Sequence, residues 1–338
     1  MPDGEHFFLQ RPQINISFST SGRMWLVFFS AFMCVLQSAL SDGGSSMVIA
    51  LVALITSILA ELLLTWRKHG FNKIRDGSAA AASMVFSILL PNQIHPLYAA
   101  VGAFFAIVVV KNSFGGLGSN WLNPALGGWI IIRLSWPHSI VDALGDPPLF
   151  LAATNPISLL DSNITTFLNE TIFSLLGTEL PFGYIDLLFY KGTGLIADRG
   201  LFALLVCTIV LIAFRVSRCF VPAVFLAVYG FLVKFLGDIS HGGQYWAGDL
   251  FFGIFSGGTI AAAFILAAEP ASGAKSRGGV FTAVVLGSVL SWLFRYRGFE
   301  YCGSFIALAL VNCLTTLIRL SESRLIYSRK SGLGKGPA

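Results

Sequence analysis

The succession of apolar runs along this chain constrains its fold more than any other feature. Each run carries few charged residues, and short polar segments separate most of them. About 17 to 25 such residues can cross the hydrocarbon of a bilayer as one helix. The pattern therefore predicts an all-α integral membrane protein with about ten transmembrane helices. The ten runs lie at about 24–41, 47–66, 78–91, 94–111, 122–136, 199–215, 220–236, 250–269, 279–296 and 303–320.

The composition excludes a soluble protein. Hydrophobic residues make up 55% of the chain and charged residues 12%, with a mean hydropathy of +0.76, whereas soluble domains are about one quarter charged. The isoelectric point near 9.0 does not indicate nucleic-acid binding, because the charges lie between apolar runs instead of forming one basic face. The scattered cysteines and histidines show no ligand spacing, so no metal or haem site is predicted.

Three runs are short or interrupted. Runs 78–91 and 122–136 are short for the bilayer, and run 250–269 is broken by Ser256-Gly257-Gly258. Backbone freed from a helix at membrane depth is tolerated only where protein covers it or a cavity meets it. These breaks predict a site inside the helix bundle.

The basic residues predict the topology. With a cytoplasmic N-terminus, sixteen of the 22 basic residues, Lys111 among them, fall in inner segments, which satisfies the positive-inside rule. The tails 1–23 and 321–338 are then cytoplasmic and the long segment 137–198 is external, with short helices expected near 164–176 and 184–191. The six remaining basic residues are Arg133, Lys191, Arg199, Lys234, Arg295 and Arg297.

The two halves of the chain read alike. Residues 78–91 are echoed by 256–270, and residues 130–135 by 314–321. Because five spans is an odd number, a second copy of five would be inverted, an arrangement known for proteins with central binding sites. We expect membrane repeats at 24–136 and 199–320. The alternative is a chance match between helices rich in small residues.

Three sequence blocks carry a resemblance to a known family. They are Arg75-Asp76-Gly77-Ser78, the segment from Phe114 to Gly127 that contains Gly-Gly-Leu-Gly-Ser-Asn, and Ala267-Ala268-Glu269-Pro270-Ala271-Ser272. In this order they resemble the RnfD/NqrB family over residues 10 to 325, and within it the RnfD branch. The resemblance implies a subunit of a bacterial inner-membrane complex that passes electrons and exports Na⁺ or H⁺. Other membrane and peripheral subunits would supply the electrons.

The resemblance also implies a covalent flavin. Family members carry FMN linked through its phosphate to a threonine in an S-G-A-T-type motif, attached by a flavin transferase. The nearest match is Leu151-Ala152-Ala153-Thr154 in the external segment, which makes Thr154 the candidate. The usual Ser-Gly is absent, so an ordinary loop threonine is the alternative. The other candidate hydroxyls are those of Thr165, Thr166 and Thr178.

The glycine-rich loop before the fifth run is a second flavin candidate. Gly115 and Gly116 would let the backbone approach a planar ring, and the amides of Asn120 and Asn123 match the donors and acceptors of a flavin edge. The resemblance implies a noncovalent riboflavin here, on the cytoplasmic side. The alternative is an ordinary helix cap with a packing glycine.

Glu61 is the clearest ionisable residue within an apolar run. A carboxylate at such a position is expensive to keep without a partner or a bound cation, so function is the first interpretation; a snorkelling or ion-paired glutamate is the alternative. The resemblance implies ion uptake at Glu61 and a flavin or cation contact at Glu269. Arg319 stands where the family usually has an acid.

We therefore expect a flavin-carrying subunit of a redox-driven ion pump, with no catalytic residue of its own. A cofactor-free solute channel or transporter built from inverted repeats is the rival hypothesis. A scaffold that holds other subunits is compatible with both. The sequence does not choose between Na⁺ and H⁺.

Overall fold

In the computed structural model of the chain, the residues whose structure is described are 19–69, 75–113, 116, 120–145, 163–171, 174, 185–189, 193–237, 239, 244–269, 273, 276–298 and 301–333. These residues are mainly helical. The β-type pairing among them is a single isolated antiparallel bridge between Pro91 and Leu195. The predicted all-α class is confirmed over this part of the chain.

The described residues form fourteen α-helices. They are α1 (Thr20–Ser41), α2 (Ser45–His69), α3 (Ser78–Ile88), α4 (Pro96–Phe105), α5 (Pro124–Ser135), α6 (Pro137–Leu144), α7 (Asn163–Thr171), α8 (Ile196–Arg199), α9 (Leu201–Ala213), α10 (Phe220–Leu236), α11 (Leu250–Phe255), α12 (Thr259–Ala261), α13 (Arg277–Trp292) and α14 (Gly303–Leu333). Three of them, α4, α12 and α13, continue into π-helical segments at Ala106–Asn112, Ala262–Leu266 and Leu293–Arg297.

The helices are those of a multi-pass membrane protein. Among the described residues, three helices are long and apolar enough to cross a bilayer: Thr20–Ser41, Ser45–Trp66 and Arg277–Arg297. Shorter apolar helices in the same part of the chain are Ser78–Ile88, Pro96–Asn112, Leu201–Ala213, Phe220–Leu236 and Gly303–Thr315. Leucine and phenylalanine side chains stay exposed along these helices, as lipid contact requires.

The helix ends differ from the sequence prediction at the C-terminus. α14 continues to Leu333, whereas the apolar run ends near 320, because its last turns are polar yet still helical. Within the segment 137–198, α7 and a 3₁₀ helix at Asp186–Phe189 lie where short helices are expected.

The break between α11 and α12 is covered by protein, as the sequence predicts. Gly257 and Gly258 adopt φ of +66° and +67°, a left-handed conformation that glycine tolerates best. Their N–H groups donate to the carboxylate of Asp198 at 3.1 and 2.8 Å. The Arg295 guanidinium donates to the carbonyl oxygens of Gly253 and Ser256 at 2.8 and 2.7 Å. The Asp198 carboxylate and the Arg295 guanidinium thus supply hydrogen bonds to backbone groups at the break in the helix.

Candidate functional site

A buried ion pair joins α2 to the π-helical segment after α4. The Nζ of Lys111 donates to both carboxylate oxygens of Glu61 at 2.7 Å each. Glu61 is 0% exposed and Lys111 is 1% exposed. Taking such charges out of water costs several kcal/mol per ion, so neither would be retained there without its partner. Glu61 is therefore ion-paired in the structure, and its role in ion uptake stays a prediction.

The ion pair extends to the first turn of α3. The same Nζ donates to Ser78 Oγ at 2.6 Å, and Ser78 Oγ donates to Asp76 Oδ1 at 2.6 Å. Asp76 Oδ1 also accepts from the backbone N–H of Ser78 at 2.8 Å, a turn that immediately precedes α3, whose N-cap is Gly77. Part of the Arg-Asp-Gly-Ser block thus has a structural role. The Ser78 hydroxyl accepts a hydrogen bond from the buried Lys111 ammonium and donates one to the Asp76 carboxylate.

The helix that carries Lys111 is locally irregular. Lys111 lies near the end of the π-helical segment Ala106–Asn112, and Gly116, with φ of +86°, donates its N–H to the Lys111 carbonyl oxygen at 3.0 Å. π-Helical turns are rare and often occur at functional sites. Gly116 therefore contributes to the turn that follows the π-helical segment. Gly115 lies outside the described residues.

A cavity of about 170 Å³ adjoins the ion pair. It lies between the start of α1, α3, the start of α5, the end of α9 and the segment 264–269, and so between the two halves of the chain. On the same measure one water needs roughly 10–15 Å³, so the cavity is large enough for a ligand of many atoms. Its polar lining includes Ser78, Lys111, Asn120, Asn123, Ser217 and Glu269.

Several buried polar atoms of the cavity wall have no hydrogen-bond partner among the described residues. They are Asn120 Oδ1, Ser217 Oγ and Arg23 Nε. Asn120 is 3% exposed and Ser217 is 5% exposed, and an unsatisfied buried polar group costs about 1–3 kcal/mol. The residues that line this cavity thus hold one acceptor and two possible donors that a polar ligand could satisfy.

Asn123 has the structural role that the helix-cap alternative predicts. Its Oδ1 accepts from the N–H groups of Ala125 and Leu126 at 2.8 and 3.4 Å and caps α5. The side chain is 5% exposed and still lines the cavity. The neighbouring Asn120 Oδ1 makes no such capping bond within the described part of the chain, so the two predicted asparagines differ in role.

Glu269 follows the π-helical segment that ends at Leu266 and is half-buried, at the boundary between two cavities. The second cavity has a similar volume, about 170 Å³, and lies against α13 and α14. Glu269 is therefore brought to the same cavity as Asn120 and Asn123, although they are distant in the chain.

The other predicted positions fall outside the site or outside the described residues. Thr154 and Thr178 belong to undescribed segments, as does the side chain of Arg319. Thr165, in α7, is fully buried and Thr166 is half-buried, so Thr165 is the less accessible of these two candidate hydroxyls.

The treatment of basic residues as loop charge is wrong at three positions. Lys111, Arg199 and Arg295 are 1%, 2% and 0% exposed, so they form part of the protein interior. Removing Lys111 from the sixteen inner residues and the two arginines from the six outer ones leaves fifteen against four, and the bias remains. Lys111 and Arg295 both stand at the ends of apolar runs, where a buried cation and a loop cation have the same sequence pattern.

Comparison with known proteins identifies the family. The model of the NQR2, RnfD, RnfE family matches residues 8–327, and the chain belongs to this family. The chain is 28% identical to the D subunit of the ion-translocating oxidoreductase complex of Yersinia pseudotuberculosis serotype O:1b (strain IP 31758), over 93% of this chain and 96% of that protein.

Two other relatives are named for different ions. The D subunit of the proton-translocating ferredoxin:NAD(+) oxidoreductase complex of Clostridium ljungdahlii is 26% identical, over 91% of each chain. The D subunit of the Na(+)-translocating ferredoxin:NAD(+) oxidoreductase complex of Acetobacterium woodii is 24% identical, over 94% of this chain and 93% of that protein.

Proposed function

We propose that this chain is the flavin-carrying membrane subunit of a redox-driven ion pump of the Rnf type, in a bacterial inner membrane. The observation that carries the proposal is a cavity between the two halves, lined by Asn120, Asn123 and Glu269, directly beside the buried Glu61–Lys111 pair. A candidate cofactor site and a candidate ion site therefore share the Lys111 side chain. The names of the relatives support an oxidoreductase complex with other subunits as partners.

The cavity fits a flavin by the chemistry of its lining. Asn120 Oδ1 is an unsatisfied acceptor suited to a ring N–H, and Ser217 Oγ and Arg23 Nε are suited to carbonyl oxygens of the ring. Alanine and valine side chains of α3 supply the apolar wall. A bound flavin would accept and pass electrons one at a time. Asn120 would orient it, while α1 and α3 would keep water from it.

We expect Asn120→Leu to weaken riboflavin binding about tenfold, because the substitution removes the acceptor and leaves a ring N–H without its hydrogen bond. Flavin released from the purified, acid-treated protein and quantified by chromatography measures this. Asn112→Leu is the matched control: Asn112 is half-buried and bonds to the Ile107 carbonyl oxygen outside the cavity. Equal flavin content in both variants would contradict the assignment.

We also propose covalent FMN at Thr154, with a flavin transferase as the maturation enzyme. The Thr154 neighbours Ala152 and Ala153 are small, which such a bond needs because the incoming phosphate must approach without obstruction by side chains. Thr154→Ala should lose both the added mass of one FMN and the fluorescence of the denatured band in a gel. Thr166→Ala, a half-buried threonine of the same segment, should keep both. Fluorescence that survives Thr154→Ala and vanishes in Thr166→Ala or Thr178→Ala would move the site.

Ten spans in two inverted repeats remain our proposal for the architecture, with both termini cytoplasmic and 137–198 external. A further observation supports the repeat. In each half the helix before the last carries a buried cation on its π-helical end, Lys111 after α4 and Arg295 after α13. Each cation reaches the start of a short helix, α3 or α12, through Ser78 or Thr259.

A cofactor-free transporter is the rival proposal, since cavities between inverted repeats also serve permeases. The unsatisfied lining atoms do not by themselves distinguish a bound flavin from a transported solute. The colour of the purified chain distinguishes them. A chain that is yellow, and stays yellow when denatured, supports the flavoprotein. A colourless chain with normal transport would support the cofactor-free transporter.

A further inference from the structure

The ammonium of Lys111 occupies a position surrounded by oxygen. Its Nζ lies 2.7 Å from each of the two carboxylate oxygens of Glu61 and 2.6 Å from Ser78 Oγ. Ser78 Oγ is itself polarised by Asp76, to which it donates. Carboxylate and hydroxyl oxygens are the ligands that hard cations such as Na⁺ prefer.

We propose that these oxygen atoms form a binding site for a monovalent metal cation, and that the Lys111 ammonium is its built-in competitor. The inference rests on the proposed ion-pump function. It adds that the metal cation and the Lys111 ammonium compete for the same oxygen atoms, so that Lys111 controls access to the site. In the state seen here Lys111 fills the site. In the alternative state a metal cation binds Glu61 and Ser78, and Lys111 has withdrawn.

The structure offers Lys111 a place to withdraw to. Lys111 belongs to the ion pair and also lines the cavity. Asn120 lines the same cavity, and its buried Oδ1 has no hydrogen-bond partner among the described residues. Glu269 lines that cavity too and can balance the charge. A lysine has a flexible four-carbon stem and rotatable donors, so it can exchange one set of acceptors for another, which a planar guanidinium does less readily.

Charge balance favours a monovalent ion. Glu61 is fully buried, and a buried carboxylate left without a cation is strongly unfavourable. Exchange of one ammonium for one monovalent cation keeps the charge around Glu61 constant in both states, whereas a divalent ion would add a charge.

Binding of radioactive Na⁺ tests the proposal. The probe is applied to the complete purified complex in nanodiscs, with choline chloride holding the ionic strength constant. Lys111→Met removes the competitor and should tighten Na⁺ binding at least about tenfold. Lys111→Arg strengthens the competitor, because its fork fits a carboxylate bidentately, and should weaken binding at least about tenfold. Glu61→Gln/Lys111→Met, which lacks both charges, should bind no Na⁺ at this site.

The matched control is Lys234→Met, since Lys234 is an exposed lysine on α10. It should bind Na⁺ as the wild type does. Unchanged affinity in Lys111→Met, or tight binding that persists in the double variant, overturns the proposal. If Lys111→Met does not assemble, Lys111→Arg decides: weaker binding supports the competitor, and equal or tighter binding overturns it.

The outcome is separable from the pump proposal. Normal riboflavin content and ion-dependent turnover, with unshifted Na⁺ affinity in the Lys111 variants, would reject the competitor and leave the pump intact. A complex without flavin or ion-dependent turnover would reject the pump, whatever its Na⁺ affinity.

Discussion

Replacing Arg295 with methionine should lower the unfolding temperature of the chain by on the order of 10 °C, since removing one partner of a buried charge network typically costs about 3–5 kcal/mol. Arg295 is 0% exposed. Besides the two carbonyl oxygens at the helix break, its guanidinium donates to Tyr229 Oη at 3.0 Å and Thr259 Oγ1 at 2.9 Å. Methionine keeps much of the volume and makes none of these bonds.

Part of the loss should come from Asp198, whose charge interacts with that of Arg295. Asp198 also accepts from Tyr301 Oη at 2.8 Å, but a hydroxyl cannot neutralise it. Arg295→Met/Asp198→Asn should therefore recover part of the lost stability. Arg297→Met, an exposed arginine two residues further on, is the control and should unfold close to wild type. Scanning fluorimetry of the purified protein measures all three, and wild-type stability in Arg295→Met would show that the break is held by other contacts.

Glu61→Gln should slow electron transfer through the complex. It should also raise the concentration of the coupling ion that gives half-maximal turnover by at least about tenfold. Glutamine keeps the shape of the side chain and removes the negative charge that a cation needs. Turnover measured against Na⁺ concentration and against pH, at constant ionic strength and normal flavin content, gives the result. Unchanged ion dependence would remove Glu61 from the mechanism.

Stability must be separated from ion binding, because Glu61→Gln leaves the Lys111 charge buried without its carboxylate. The double variant Glu61→Gln/Lys111→Met has no such charge. It should assemble better than Glu61→Gln and still lack ion dependence. Glu170→Gln, at an exposed position on α7, controls for loss of a carboxylate and should behave as wild type.

The sequence predicts the helices well where one local property determines them. Apolar runs give the long helices α1, α2 and α13, and glycines mark the break between α11 and α12. Asn123-Pro124 marks the start of α5, since an asparagine cap followed by proline is a helix-start signal. These features depend on residues that are close in the chain.

The site depends on contacts between distant residues, and there the sequence is less informative. Glu61 and Lys111 are 50 residues apart, and Asp198 is 59 residues from Gly257. A lysine at the end of an apolar run has the same sequence pattern whether it faces the cytoplasm or a buried carboxylate, so Lys111 is indistinguishable from loop charge. Asn120 and Asn123 are predictable through the family blocks that contain them, since their spacing alone does not indicate a cavity.

The π-helical segments that carry Lys111 and Arg295 make both contacts depend on the local hydrogen-bond pattern of the helix. Each residue advances an α-helix by about 100° around its axis, and a π-helical turn holds an extra residue that the hydrogen-bond pattern absorbs. If the segment Ala106–Asn112 were a regular α-helix with the same number of residues, Lys111 would lie about 100° further around the axis, away from Glu61, with every charged side chain still present. The π-helical hydrogen-bond pattern at these turns therefore determines which face of the helix carries the cation.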